Sequence, residues 1–243
     1  MKQANILQFI WVALRSIAVT LSSSCYALWL ALRQQNQRPA VDALIRRWSQ
    51  RLLNIIGLQY RTLGQAPDFN DGRRYIIMCS HASHYDIPLS FIALPGSIRM
   101  LAKKELSRIP VFGSAMTASE FIFIDRHNRD NARKDLLAAR KKMESGIVLW
   151  VAPEGTRSVD GRLLPFKKGC FHLAIETQAI IVPVAIRDII NVLPKGSWTM
   201  NLGVNVEFHI GETIDASAYT LDRRAELSAV VETAMRRLLD QAT

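Results

Sequence analysis

Apolar positions follow three successive patterns along this chain. Residues 4–32 are almost wholly apolar, with Arg15 the one charge and Phe9, Trp11, Tyr26 and Trp29 spaced along them. A bilayer span takes about 20 mostly apolar residues, so the stretch is long enough, but Arg15 and the Ser22-Ser23-Ser24 run interrupt it. The pattern admits one tilted span, a helical hairpin, or a helix lying in the membrane interface. A cleaved signal peptide, including a lipoprotein type ending near Cys25, fits less well, because Arg15 breaks its apolar region and no small-x-small site follows. An ordinary buried helix is the other alternative. From residue 40 the spacing changes. Val41, Leu44, Ile45, Trp48, Leu52 and Ile55 recur at helical intervals and predict an amphipathic helix over 40–55. Residues 65–72, Gln-Ala-Pro-Asp-Phe-Asn-Asp-Gly, are rich in turn formers.

Beyond residue 72, short apolar runs alternate with helical stretches. The runs are Tyr75–Cys79, Ile98–Ala102, Phe121–Ile124, Ile147–Val151, Ile181–Ile186 and Val204–Ile210, and the helical stretches include 87–94, 129–144, 169–177 and 222–239. Alternation of this kind predicts an α/β fold: a mixed, largely parallel sheet flanked by helices, preceded by an N-terminal membrane-associated helical segment. We place that segment at residues 1–56 and the α/β domain at 57–243. In such sheets ligands gather at the carboxyl ends of the strands, so chemistry is sought in the residues that follow each apolar run.

Charge sharpens this picture. The net charge is 31 − 21 = +10, and residues 1–74 hold ten basic against three acidic residues, 10 − 3 = +7, beside the most apolar stretch. Arg33, Arg38, Arg46, Arg47 and Arg51 follow residues 4–32, and positive charge there marks the cytoplasmic side of a membrane. No recognised nucleic-acid motif accompanies the charge. Three cysteines, Cys25, Cys79 and Cys170, lack metal-ligand spacing, so neither a disulfide scaffold nor a metal site is expected. At 49% hydrophobic, the chain can bury a core and is not a disordered tail.

Three strand ends carry polar residues. Ser80-His81-Ala82-Ser83-His84-Tyr85-Asp86 follows the first run, with Pro88 marking a helix start. On one straight helix His81 and Asp86 would lie about 140° apart. With His81 at the strand end and Asp86 at the helix start, the loop can fold the carboxylate onto the imidazole, orienting it as a general base. Alternatively Asp86 only caps the helix. His84 is a second candidate base, and Ser83 a candidate nucleophile without a G-x-S-x-G elbow. Asp125-Arg126 ends the run at Phe121–Ile124, where an arginine suits bidentate contact with phosphate. Pro153-Glu154-Gly155-Thr156-Arg157-Ser158 follows Ile147–Val151; Gly155 permits close backbone approach, Arg157 supplies a second cationic fork, and Glu154 holds a cation or a loop. Lys167-Lys168-Gly169 opens the next helix, where anions are favoured. Together these residues suit a phosphate-bearing substrate whose hydroxyl must lose a proton.

His81-x4-Asp86, Phe123-Ile124-Asp125-Arg126, Pro153–Ser158 and Ile181-Val182-Pro183-Val184, in that order, resemble the four motifs of the glycerolipid acyltransferases, foremost those acting on lysophosphatidate. The stretch Asp160–Gly169 is similar too. The departures are Ala152 before Pro153, where many members carry Phe, and Ser80 before His81, where many carry Asn. The resemblance implies His81 as general base oriented by Asp86. It implies a phosphate site of Arg126, Glu154, Gly155, Thr156 and Arg157, with Lys167, Lys168, Ile181 and Pro183 as secondary candidates for the site or an acyl pocket. It implies an O-acyltransferase that moves an acyl group to the sn-2 hydroxyl of 1-acyl-sn-glycerol-3-phosphate, giving phosphatidate, from acyl-CoA or acyl-carrier protein. No cofactor or metal is then required. The expected partners are the lysolipid, the donor and membrane lipid, at the bacterial inner membrane facing the cytoplasm. Competing readings are an acyltransferase for another lysolipid (lyso-ornithine lipid or lysophospholipid), a serine-type lipase or thioesterase, and a non-enzymatic lipid-binding protein.

Overall fold

A computed structural model of the 243-residue chain describes residues 2–35, 37–125 and 129–240. The described elements are β1 (Lys2–Gln3), α1 (Ile6–Leu32), α2 (Arg38–Ile56), β2 (Gln59–Leu63), β3 (Tyr75–Cys79), α3 (Asp86–Ala93), β4 (Ile98–Lys103), α4 (Phe112–Ala118), β5 (Ile122–Ile124), α5 (Arg129–Glu144), β6 (Val148–Val151), α6 (Lys168–Glu176), β7 (Ile180–Arg187), β8 (Asn201–Leu202), β9 (Asn205–Ile210), β10 (Ile214–Asp215) and α7 (Arg224–Asp240).

The main sheet has the order β2-β9-β7-β3-β6-β4-β5, with β10 paired to β7. Strands β7, β3, β6, β4 and β5 run parallel; β9 and β10 are antiparallel to β7, and β2 is parallel to β9. The sheet is therefore mixed and largely parallel. Every side chain of β3 and β6 is buried, as a sheet covered on both faces requires. Alternation sorts them: Tyr75, Ile77 and Cys79 join a core with α2 and α3, while Ile76 and Met78 join Phe171 of α6 and Leu227, Val231 and Met235 of α7.

α1 is one continuous helix of 27 residues, which excludes the hairpin among the sequence alternatives. An Asn5–Gln8 capping box starts it. Its N-terminus is tied down by the β1–β8 pair and by Ala4 N–H donating to the Met200 carbonyl (2.8 Å). Farther along, Trp48 Nε1 of α2 donates to Thr20 Oγ1 (3.1 Å), and Val12 reaches the core shared with the sheet. The opposite face, with Ile6, Ile10, Leu14, Ile17 and Leu21, is exposed.

α2 sits on the sheet through a buried ion pair. Arg99 of β4, wholly buried, donates to Asp42 Oδ1 (2.7 Å) and to the Ser119 carbonyl (2.6 Å). The basic flank expected to face lipid is divided by the fold. Arg38 pairs with Glu120 (2.9 Å) and Arg46 donates to the Leu94 carbonyl (2.9 Å), whereas Arg33, Arg47 and Arg51 are exposed.

Candidate active site

The carboxyl ends of β3, β4, β5, β6 and β7 share one edge, so the loops after them meet. Residues 80–85 turn over this edge and return at the first residue of α3. That turn brings Asp86, fully buried, beneath His81, with Nδ1 and Oδ2 2.7 Å apart. The same oxygen accepts the N–H groups of Ala82 (2.8 Å) and Ser83 (3.0 Å). These bonds run to the loop, so Asp86 is not merely a helix cap. A carboxylate only accepts, so Nδ1 carries the proton and the lone pair of neutral His81 is left on Nε2. The ring is pinned by Trp150 of β6, edge-on with centroids 6.1 Å apart. The indole N–H in turn donates to Ser90 Oγ (3.0 Å), which donates to the Asp86 carbonyl (2.8 Å).

Glu154 occupies a different role from the phosphate ligand expected of it. It is 1% exposed, and its two oxygens accept the N–H groups of His81 (3.0 Å) and Leu164 (2.9 Å). Burial pushes its carboxyl up to about 7, against the pull of those two bonds. It clasps the loop after β3 to the loop after β6. Ser158 N–H tightens the clasp by donating to the His81 carbonyl (2.7 Å). Gly155 has φ of +72°, the left-handed conformation that glycine adopts without strain.

Arg157 is half-buried on this loop. Desolvation draws its guanidinium below the usual range, opposed by the nearby Asp86 charge. Among the described residues it has no ion-pair partner, so it favours an anionic ligand. His84 is exposed, its imidazole held low by partial desolvation and by Arg157 and His81 nearby, and among the described residues no carboxylate orients its ring as Asp86 orients His81. Ser83 is fully buried and donates to the Leu193 carbonyl (3.4 Å), so it is not presented as a nucleophile.

Other expectations are placed differently. Arg126 lies outside the described residues. Asp125 is held by Lys104 Nζ (3.4 Å) and Asn131 Nδ2 (3.1 Å). Lys167 donates its backbone N–H to the Pro153 carbonyl (2.7 Å), fixing the start of α6, but the side chains of Lys167 and Lys168 are exposed. Ile181 is fully buried in the core under α6 and α7, and Pro183 is buried within β7; neither lines a cavity beside His81, because the site opens past the end of that strand. Three residues that sequence reasoning missed belong here: Trp150, Ser90 and Lys195, whose Nζ donates to Thr156 Oγ1 (2.9 Å). Trp150 carries a signal in its place at the end of an apolar run; Ser90 carries none.

One cavity opens at the site and a second lies among the helices. A polar one of about 350 Å³ is walled by Ser80, His81, Ser158, Arg162 and Arg187. An apolar one of about 80 Å³ lies between α1, α2, α3 and α4, lined by Ala27, Trp48, Ile87, Phe91, Ala115 and Met116. Its wall begins one residue past Asp86.

A family model described as Acyltransferase matches residues 59–187, just over half of the chain. A 1-acyl-sn-glycerol-3-phosphate acyltransferase of Haemophilus influenzae is 32% identical over 204 residues, spanning 83% of this chain and 82% of its own. One of Salmonella typhimurium is 30% identical over 226 residues, spanning 92% and 88%. The crystal structure of the 1-acyl-sn-glycerophosphate acyltransferase of Thermotoga maritima has the same fold, with a TM-score of 0.80 over 98% of each chain at 24% identity.

Proposed function

The chain belongs to the acyltransferase family, and on that premise we propose that it transfers a fatty acyl group from a thioester, acyl-CoA or acyl-carrier protein, to the sn-2 hydroxyl of 1-acyl-sn-glycerol-3-phosphate, giving phosphatidate. The observation that carries this reading is the His81–Asp86 pair, 2.7 Å apart with its carboxylate buried, near the guanidinium of Arg157, which has no ion-pair partner among the described residues.

The chemistry follows from the pair. His81 Nε2 takes the hydroxyl proton as the oxygen attacks the thioester carbonyl, while Asp86 meets the imidazolium charge that forms at the ring. The new O–C bond forms, the C–S bond breaks, and the departing thiolate takes the proton back from Nε2. A thiol of pKa about 8.5 leaves without strong acid assistance. Arg157 grips the acceptor phosphate, a fork suited to it. The polar cavity beside His81 takes the polar arm of the donor.

The exposed apolar face of α1 supports membrane attachment, with the helix lying in the interface: its other side packs on α2 and α4, and β1, just before it, pairs with β8. Exposed Arg33, Arg47 and Arg51 suit the anionic cytoplasmic leaflet of a bacterial inner membrane. The reading is tested by offering purified protein lysophosphatidate with each donor in turn and measuring phosphatidate. Arg157→Ala then raises the acceptor KM; an unchanged KM would remove Arg157 from the phosphate site and favour an acceptor without a terminal phosphate.

A further inference from the structure

A second cation stands beside Arg157. Lys195 sits in the turn between β7 and β8, and its Nζ donates to Thr156 Oγ1 (2.9 Å) and to the Arg157 carbonyl (3.1 Å). Both acceptors are neutral, and no carboxylate among the described residues lies within ion-pair distance of Nζ. An ammonium has three donors, so a full charge and one N–H remain for another partner.

The turn is fixed from both sides. Ser83, in the loop that carries His81, donates to the Leu193 carbonyl (3.4 Å). At the other end Ala4 donates to the Met200 carbonyl (2.8 Å), and β8 pairs with β1 just before α1. Trp198, 83% exposed, meets Phe9 of α1 edge-on with centroids 5.8 Å apart. One turn therefore touches the His81 loop, the Arg157 loop and the foot of the apolar helix. It sets Lys195 where a headgroup must lie if its acyl chain remains in the lipid.

We propose that Lys195 is a second ligand of the acceptor's phosphate monoester, acting with Arg157, and that it sets the preference for a lysolipid with a terminal phosphate over a zwitterionic one. The inference rests on the acyl-transfer reading above. A phosphate monoester carries about −1.5 to −2 charge at neutral pH, which one guanidinium only partly offsets. A zwitterionic headgroup presents a single phosphodiester charge beside its own cation and needs no second cation from the protein. The two side chains divide the task as their shapes allow: Arg157 a planar fork, Lys195 a point charge.

The test compares full-length wild type, Lys195→Gln and Lys195→Arg in neutral detergent micelles, at saturating donor, with lysophosphatidate titrated. Gln keeps a donor for Thr156 and the Arg157 carbonyl but drops the charge. The acceptor KM of Lys195→Gln rises about tenfold with kcat within about twofold, Lys195→Arg restores most of the affinity, and the donor KM does not move. Equal acceptor KM values in wild type and Lys195→Gln overturn the proposal, as does a fall in kcat at constant KM, which means that Lys195 only braces the loop. A KM effect that emerges only on phosphatidylglycerol vesicles also overturns it, since the charge then meets bilayer lipid rather than the acceptor. Wild type that forms no phosphatidate with either donor defeats the acyl-transfer reading itself; active wild type with an unmoved KM defeats only the assignment of Lys195.

Discussion

Replacing Asp86 by Asn alters charge without altering volume, and the loop around it dictates which way the amide sits. Oδ2 accepts two backbone N–H groups and the His81 Nδ1 proton. An amide NH2 in that place would oppose three donors, so the Asn oxygen stays there and the ring keeps its tautomer. What disappears is the negative charge facing the imidazolium. With charge centres about 4 Å apart and an effective dielectric constant near 20, the loss is about 4 kcal/mol, part of which the amide dipole returns. A net loss of about 3–4 kcal/mol in the transition state corresponds to a fall in kcat of roughly 200- to 1000-fold. Release of free thiol from acyl-CoA, followed at saturating lysophosphatidate, reads kcat directly. The acceptor KM stays within about threefold, because Asp86 touches no part of the acceptor. A loss of kcat below about tenfold would refute the reasoning: His81 would then not become an imidazolium in the rate-limiting step.

Three further outcomes are expected. Burial raises the Glu154 carboxyl from the usual 4.5 to about 7, so folding disfavours its ionised form. This contribution costs nothing below about pH 4.5, grows as pH rises toward 7, and reaches about 3 kcal/mol above it. Urea unfolding of wild type should weaken over that window while Glu154→Gln loses the slope; parallel pH profiles would contradict the assignment. Asp42→Ala removes the nearer carboxylate from buried Arg99, leaving it only Glu120 at 4.0 Å, and should cost about 3 kcal/mol of stability, largely restored by adding Arg99→Met, as read by thermal melting; an unshifted melt in the single variant speaks against a buried pair. Ile10→Glu with Leu14→Glu, on the exposed face of α1, should release the protein from phosphatidylglycerol vesicles by more than about tenfold in partitioning, with little change in melting; undiminished binding would mean that another surface holds the membrane.

Where sequence and structure agree, the signal is burial on a regular period. β3 falls on Tyr75–Cys79 as the apolar run predicts, and α2, α5 and α7 lie within a few residues of their expected spans. β2 was illegible because four of its five side chains are exposed: it joins the sheet by main-chain pairing with β9, which leaves no alternation in the sequence. α4, seven residues long, is too short to show a helical period. The His81–Asp86 pair could be read because a strand end and a helix start flank a loop of fixed length. Glu154 could not be assigned its clasp, since its partners are backbone N–H groups of His81 and Leu164 that no side-chain spacing reveals. Ile181 and Pro183 follow a motif in sequence but sit before the end of β7, where the sheet buries them. Lys195 reaches the Arg157 loop across 38 residues of chain, through contacts invisible to local patterning.

The most direct test of the account compares wild type with His81→Ala in neutral micelles, given lysophosphatidate and acyl-CoA, with acyl-carrier protein as a parallel donor, and measures phosphatidate. The account predicts product from wild type with at least one donor and loss of at least about 1000-fold in the variant, with folding and the acceptor affinity retained. Equal turnover by both proteins would contradict it, because the hydroxyl proton would then pass to a group other than His81.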